Sequence, residues 1–290
     1  MVALIIIYYF NELMQVFQVP DIVKGHPQIE AGDIRFVDYR DKGGPFRNRV
    51  LFKTFAFSFV QHGQKHIYRA EGSTILRSGQ GMLIPEGHSI IAEHSDSNEP
   101  YNSIIIFFPA SLGQEFIASR EHQELGKEIA PYIHFEIDGY IDEYVKSLKA
   151  LIFRGQKLSS ELAMIKVNEL LTALYDLYPH LLISLFGGRR DLSLKNLIEQ
   201  NLLKELSVEE LAFLANRSVS SFKRDFIKMY GVPPQQYIRD RKLEIAGKEL
   251  LKGRSASELY LDFGYQHLSN FNTAFKRKFG VTPSTYRSIA

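Results

Sequence analysis

Four histidines, His62, His66, His88 and His94, fall close together in the first third of the chain. Neutral imidazole is the commonest protein ligand for transition metals, so the group raises the question of a metal centre. A catalytic metal held in a β-barrel needs three histidines and a carboxylate converging on one ion, usually with two histidines one residue apart. Here His62 and His66 are four apart with Gly63 between them, and after Gly79-x5-Pro85-x-Gly87 the expected histidine position is Ile90. The ligand set is incomplete. Metal catalysis is therefore only the alternative reading, and these histidines read as surface or strand-end residues.

The chain has no cysteine, which excludes disulfides, thiolate zinc sites and cysteine nucleophiles. An absence of disulfides fits a reducing cytoplasm. Residues Val2 to Phe10 form an apolar run, but no Lys or Arg precedes it and no small-residue cleavage site follows. Nine apolar residues fall short of the ~20 that cross a bilayer as a helix, so the run reads as a strand or short buried segment and the protein as cytoplasmic, with no membrane partner. The charge is unevenly spread. From Arg189 onward there are 18 Lys+Arg against 11 Asp+Glu, a net of +7, while the preceding part carries 17 against 22, a net of −5. A basic C-terminal third is the footprint of a domain that faces phosphates.

A chain of 290 residues is long enough for two domains of about 100–200 residues each. Between Ile34 and Phe108 the segments Ile34–Tyr39, Leu51–Val60, His66–Arg69, Ser73–Leu76, Met82–Ile84, Ser89–His94 and Ser103–Phe108 are rich in β-branched and aromatic residues and separated by glycine-containing turns. Short strands at that spacing predict a sandwich or barrel of the jelly-roll kind. Phe55, Phe57 and Phe59 alternate with Ala56 and Ser58, giving that strand one aromatic face, which reads as packed core ahead of a ligand cavity. After Pro109 the period becomes helical. Ile141, Tyr144, Val145, Leu148, Leu151 and Ile152 share one face, and a second helix over 159–177 carries Leu162, Ile165, Leu170, Leu171, Leu174 and Leu177 before Pro179 stops it. These two helices either cover the barrel or form a dimer seam. The Gly187-Gly188-Arg189-Arg190 stretch is the natural boundary before a third region.

The last hundred residues contain a duplication. Ser207, Glu210 and Leu211 recur 48 residues later as Ser255, Glu258 and Leu259, each set a capping box followed by an apolar residue. Phe222, Phe226, Gly231, Pro234 and Tyr237 recur 49 residues later as Phe271, Phe275, Gly280, Pro283 and Tyr286. The offset changes by one between the two helices of each unit, where a turn absorbs it. Each unit therefore reads as a helix-turn-helix: a capped helix, a tight turn (Ala215-Asn216-Arg217 or Gly264-Tyr265-Gln266), and a second helix with two phenylalanines inward and a glycine at its end. Tyr237 to Leu251 predicts a linking helix. A helical linker can hold two recognition helices in successive major-groove segments, roughly 34 Å apart.

The run Leu259-x4-Gly264-Tyr265-x3-Ser269-Asn270-Phe271-x3-Phe275-Lys276-Arg277-Lys278-Phe279-Gly280-Val281-Thr282-Pro283-x2-Tyr286-Arg287 closely resembles the signature of the AraC/XylS family of transcription regulators. The resemblance implies a two-domain α+β protein: a cupin-like sensing and dimerisation domain over 1–186, a β-barrel with two helices, and an all-α DNA-binding domain over 191–290. Carried over by position, the DNA-facing residues would be Ser220, Ser221, Lys223 and Arg224 in the first unit. In the second they would be His267, Leu268, Ser269, Asn272, Thr273 and Lys276, and the run Lys276-Arg277-Lys278 at the helix's far end reads as phosphate neighbours or solvated charges ahead of base readers. Arg224 and Lys223 suit guanine O6/N7, and Asn272 suits adenine. The sequence departs from the family pattern at Tyr260, His267, Thr273 and Lys242. His267 and Thr273 leave the second face neutral, so the first unit is expected to supply most of the discrimination.

The implied function is sequence-specific control of transcription, as an activator, through promoter DNA and RNA polymerase. A small-molecule or protein effector would act on the N-terminal domain, and a homodimer would form through helices 140–153 and 159–178. No cofactor is expected. The alternative is a cupin-type metalloenzyme.

Overall fold

The computed structural model describes residues 15–44, 46–95, 99–120, 132–155, 157–187 and 193–289. The Val2–Phe10 run and the glycine-arginine boundary at 188–190 lie outside the described residues. The chain divides into two compact units, Met1–Leu192 and Ser193–Ala290.

The first unit is a two-sheet sandwich with helices on one side. Strands β1 (Val16–Val19), β4 (Asn48–Phe52), β9 (Gly87–His94), β6 (Gln64–Arg69) and β7 (Gly72–Arg77) form one sheet in that spatial order. The other runs β11 (Ile133–Glu136), β8 (Gln80–Ile84), β5 (Phe55–His62), β10 (Tyr101–Phe108), β3 (Ile34–Asp41) and β2 (Gln28–Ala31). The expected single strand Leu51–Val60 is two strands. The chain leaves the first sheet after Phe52 and enters the second at Phe55, and Lys53 N–H donates to Val19 carbonyl at 3.0 Å beside the crossing. The strands β1, β2 and β11 were not foreseen, being four residues each and at or near sheet edges.

The period-2 pattern sorts side chains cleanly. In the paired register Phe57↔Ile106 and Phe59↔Ile104, the phenylalanines of β5 face outward with Phe36, Ile104, Ile106 and Phe108. Helices α2 (Gly139–Arg154) and α3 (Ser160–Leu177) cover this face, together with α1 (Ala110–Ala118) and α4 (Pro179–Gly187). Ala56, Val60, Val37, Ile105 and Phe107 point the other way, into the space between the sheets. Both faces of the six-stranded sheet are thus covered, which is why β10 is buried along its whole length.

Helix α2 starts on an Asp138 cap, whose carboxylate accepts from Ile141 N–H at 2.8 Å, and ends at Gly155 in the left-handed region. Its predicted face is the buried one. Helix α3 is rotated from expectation: Ala163, Val167, Leu170, Leu171 and Leu174 are buried, whereas Leu162, Ile165 and Leu177 are exposed. Small Ala163 and branched Val167 fit the sheet, and an apolar count by residue type passed over the first. Pro179 ends α3 but also starts α4. The same holds for Pro234 and Pro283, because a proline at the first helical position forfeits no hydrogen bond.

The second unit is all helical: α5 (Leu194–Asn201), α6 (Val208–Leu214), α7 (Val219–Tyr230), α8 (Pro234–Leu251), α9 (Ala256–Leu259), α10 (Leu268–Phe279) and α11 (Pro283–Ile289). The duplication is repeated in packing. Phe226 lies 5.9, 4.6 and 5.5 Å from the rings of Phe222, Tyr230 and Tyr237. Phe275 lies 5.8, 4.5 and 5.3 Å from Phe271, Phe279 and Tyr286. The linking helix α8 begins three residues before the expected Tyr237 and buries Leu243, Ala246 and Leu250, while Leu251 is exposed.

Candidate nucleic-acid interface

Each helix-turn-helix is built from its capping residues outward. Glu210 carboxylate accepts from Ser207 N–H at 2.7 Å and Ser207 Oγ accepts from Glu210 N–H at 3.1 Å, so α6 starts on a complete capping box. The second box is altered. Glu258 carboxylate accepts from both Ser255 N–H at 2.6 Å and the Ser255 hydroxyl at 2.7 Å, and α9 is one turn long. The second helices end alike, on Gly231 and Gly280 at φ 73° and 78°, a backbone that glycine adopts without a Cβ penalty.

With Phe222 and Phe226 buried, α7 turns Ser220, Lys223 and Arg224 to solvent. Ser218 caps the helix by accepting from Ser221 N–H at 3.2 Å. Arg224 is 77% exposed and makes only long contacts, 3.4 Å to Asp225 and 3.4 Å to Ser221 Oγ, so its guanidinium fork can be redirected at little cost. Asp225 also holds Arg217 from the preceding turn, fastening that turn to the helix. Partial desolvation raises the Asp225 carboxyl pKa, but the hydrogen bond from Arg224 and the Arg217 charge outweigh it and hold the carboxyl below its ordinary value.

In α10, Phe271 and Phe275 are buried, His267, Ser269, Thr273 and Lys276 are exposed, and Leu268 and Asn272 are half-buried. His267 sits at the cap position without a side-chain cap bond. Thr273 Oγ1 donates back to Ser269 carbonyl at 2.9 Å, so its proton is already engaged. Lys278 is not a solvated neighbour of Lys276 and Arg277, as its place in the basic run implied. Its ammonium reaches Glu244 on α8 at 2.9 Å, and Arg241 binds the same carboxylate at 2.7 Å. Hydrogen bonds from Lys278 and Arg241 lower the Glu244 carboxyl pKa. The network ties the second recognition helix to the linking helix. Lys242 is half-buried, and burial lowers its pKa against the opposing pull of Glu205.

The first unit holds a cavity of about 240 Å³ between the two sheets. Phe17, Val50, Phe52, Ile91 and Phe107 supply apolar walls, and Tyr39, Ser58, Lys65 and Glu93 supply the polar groups. Lys65 is 3% exposed and Glu93 8%. The two are directly opposite in the β6–β9 register and pair at 3.2 Å, while Tyr39 hydroxyl donates to the other Glu93 oxygen at 2.9 Å. Burial works against the Lys65 charge, yet Tyr101 and Glu93 outweigh it and raise its pKa. Burial pushes the Tyr101 phenol up to about 12. The aromatic face of β5 does not line this cavity; Ser58, on its opposite face, does.

The four histidines do not converge on one point. His66 and His94 face each other with ring centroids 4.8 Å apart, and His62 pairs with Glu99 at 3.0 Å. Burial, then His94, lowers the His66 pKa. Among the described residues no group of three or more His, Asp or Glu side chains gathers as a metal site, and no helix is long and apolar enough to cross a membrane.

Two family descriptions match. A helix-turn-helix domain covers residues 199–289, and an ExsA N-terminal regulatory domain covers 55–184. Thermoregulatory protein LcrF of Yersinia pestis is 26% identical over 257 residues, 82% of this chain and 94% of that protein. The XylDLEGF operon transcriptional activator 2 of Pseudomonas putida is 38% identical over 96 residues, 32% of this chain and 61% of that one. The chain belongs to the AraC/XylS family of transcription regulators. Among solved structures, a single-substitution variant of apo ToxT from Vibrio cholerae aligns over 90% of this chain and 98% of its own, at 13% identity and a TM-score of 0.43.

For this AraC/XylS regulator, the carried-over positions separate into two groups. Ser220, Lys223, Arg224, His267, Ser269, Thr273 and Lys276 are open to a ligand, whereas Ser221, Leu268 and Asn272 are partly covered. The exposed α7 residues Ile227, Lys228 and Met229 were absent from that set, and of these Ile227 is the i+3 neighbour of Arg224. Its helical spacing was the signal that could have found it.

Proposed function

We propose that this AraC/XylS regulator activates transcription by placing α7 and α10 in successive major-groove segments of a promoter. The observation that supports this reading is the repeated packing: two phenylalanine-anchored helices with polar outer faces, joined by the one helix α8. At 18 residues and ~1.5 Å rise per residue, α8 spans about 27 Å, a length suited to successive grooves on one DNA face. Residues 191–290 are the DNA-binding domain in this proposal, and 1–186 the sensing domain.

Arg224 reads a base and Lys276 meets phosphate. Arg224→Ala is expected to weaken binding to a promoter selected from random DNA by about 5- to 150-fold, the worth of ~1–3 kcal/mol, and to weaken binding to scrambled duplex far less. Competition binding at fixed salt checks it. Equal losses on both duplexes would mean that Arg224 touches phosphate only. In a transcription reaction with purified RNA polymerase, the wild type raises promoter-specific transcript and the variant does not; no increase with the wild type would refute activation.

The cavity beside Lys65 and Glu93 is proposed as the place of a small effector. Because Lys65 and Glu93 neutralise each other and Asp41 adds a carboxylate to the lining, an uncharged molecule with an apolar body and one hydrogen-bonding end suits it better than an anion. Such a ligand raises the unfolding midpoint as its concentration rises, and an unchanged midpoint across uncharged aromatic alcohols would argue against the assignment. Helices 140–153 and 159–178 are proposed to pair two copies, through Ile165, Leu162 and Phe153, the last 94% exposed. Ile165→Glu is then expected to give monomers in sedimentation where the wild type gives dimers.

A further inference from the structure

We propose that Ile227 is a specificity-determining residue that reads thymine, by packing its side chain on the C5-methyl group. The proposal rests on the reading of α7 as a recognition helix. Ile227 is 45% exposed in a helix whose apolar face is already formed by Phe222 and Phe226. An exposed isoleucine by itself means little. Its position carries the argument. At 100° per residue, Ser220, Lys223, Arg224 and Ile227 stand at i, i+3, i+4 and i+7 and form one stripe, opposite the buried phenylalanines. That is the spacing by which a helix lying in the major groove presents its base-reading side chains in the homeodomain form of the helix-turn-helix.

Isoleucine has no donor or acceptor, and the thymine methyl is the one apolar group on a base edge in the major groove. A phosphate-facing position would be better served by a cation, and at the equivalent position of the second unit, 49 residues later, the chain does carry Lys276. Along this face Ser220 is matched by Ser269, whereas Lys223, Arg224 and Ile227 of α7 stand where α10 has Asn272, Thr273 and Lys276. The branched side chain has one strongly preferred helical rotamer, so little freedom is lost when it meets the base.

The test uses the full-length protein and a single-site duplex obtained by selection from random DNA. Each thymine is replaced in turn by deoxyuridine, which removes only the methyl. At one position the wild type is expected to lose about fourfold in affinity, the worth of moving one methyl group out of water. Ile227→Ala should be indifferent there and respond like the wild type elsewhere, and Ile227→Val should keep the sensitivity. A wild type indifferent to every replacement overturns the proposal, as does an Ile227→Ala profile that matches the wild type at all positions. If the wild type does not prefer the selected duplex over a scrambled one, the reading of α7 itself fails and the proposal falls with it.

Discussion

Phe226→Ala is expected to destabilise the helix-turn-helix unit by about 3–5 kcal/mol. The side chain is fully buried and touches three other rings at centroid distances of 5.9, 4.6 and 5.5 Å. Truncation removes its transfer energy and opens a cavity bounded by stiff aromatics on α7 and α8, which cannot collapse into it. Against a domain stability of about 5–15 kcal/mol, that loss leaves the unit close to unfolding at growth temperature. Urea denaturation followed by circular dichroism measures it, and Phe226→Leu, which keeps most of the volume, should cost much less. A loss below about 1 kcal/mol for the alanine variant would mean that Phe226 is not the anchor of α7. The comparison with Arg224→Ala is informative, since that variant should lose specificity with its stability intact.

Lys65→Met is expected to cost a further unit, the β-sandwich, about 3–5 kcal/mol. The substitution removes the cation from a pair held at 3.2 Å and leaves the buried Glu93 carboxylate with the hydrogen bond from the Tyr39 hydroxyl. Removing one member of a buried pair strands the other without water, and the stranded charge accounts for most of the loss. The double variant Lys65→Met/Glu93→Leu removes both charges and should recover much of the stability, giving a large coupling energy in a double-mutant cycle. Additive losses would show that the two charges act independently despite their distance.

These two sites mark the range of what was legible beforehand. Phe226 announced itself: its helical spacing from Phe222 and its repeat at Phe275 fixed both the inner face and the boundary glycines, because helix periodicity is a local property. The alternation Phe-Ala-Phe-Ser-Phe in β5 was equally local and assigned that face to core. Lys65 and Glu93 were illegible for the opposite reason. Both occupy the inward phase of their strands, but their pairing depends on β6 lying beside β9, and neighbour order in a sheet is not written in either strand. Lys278 is the same case in helices. Its sequence neighbours made it one of three phosphate-facing or solvated cations, and only the packing of α10 on α8 brings it to Glu244. The face of α3 went astray because the spacing was judged on large apolar residues, while the sheet accepted Ala163 and Val167 and left Ile165 outside.

The unequal faces of α7 and α10 leave one question above the rest, whether both helices enter DNA together. Hydroxyl-radical footprinting of the full chain on a selected promoter answers it most directly. Two protected backbone patches should appear on one face of the duplex, about one helical turn of roughly 10 base pairs apart. Arg224→Ala should narrow the discrimination between this site and scrambled DNA by about 5- to 150-fold. A single protected patch, or protection that is the same on scrambled duplex, would contradict the account.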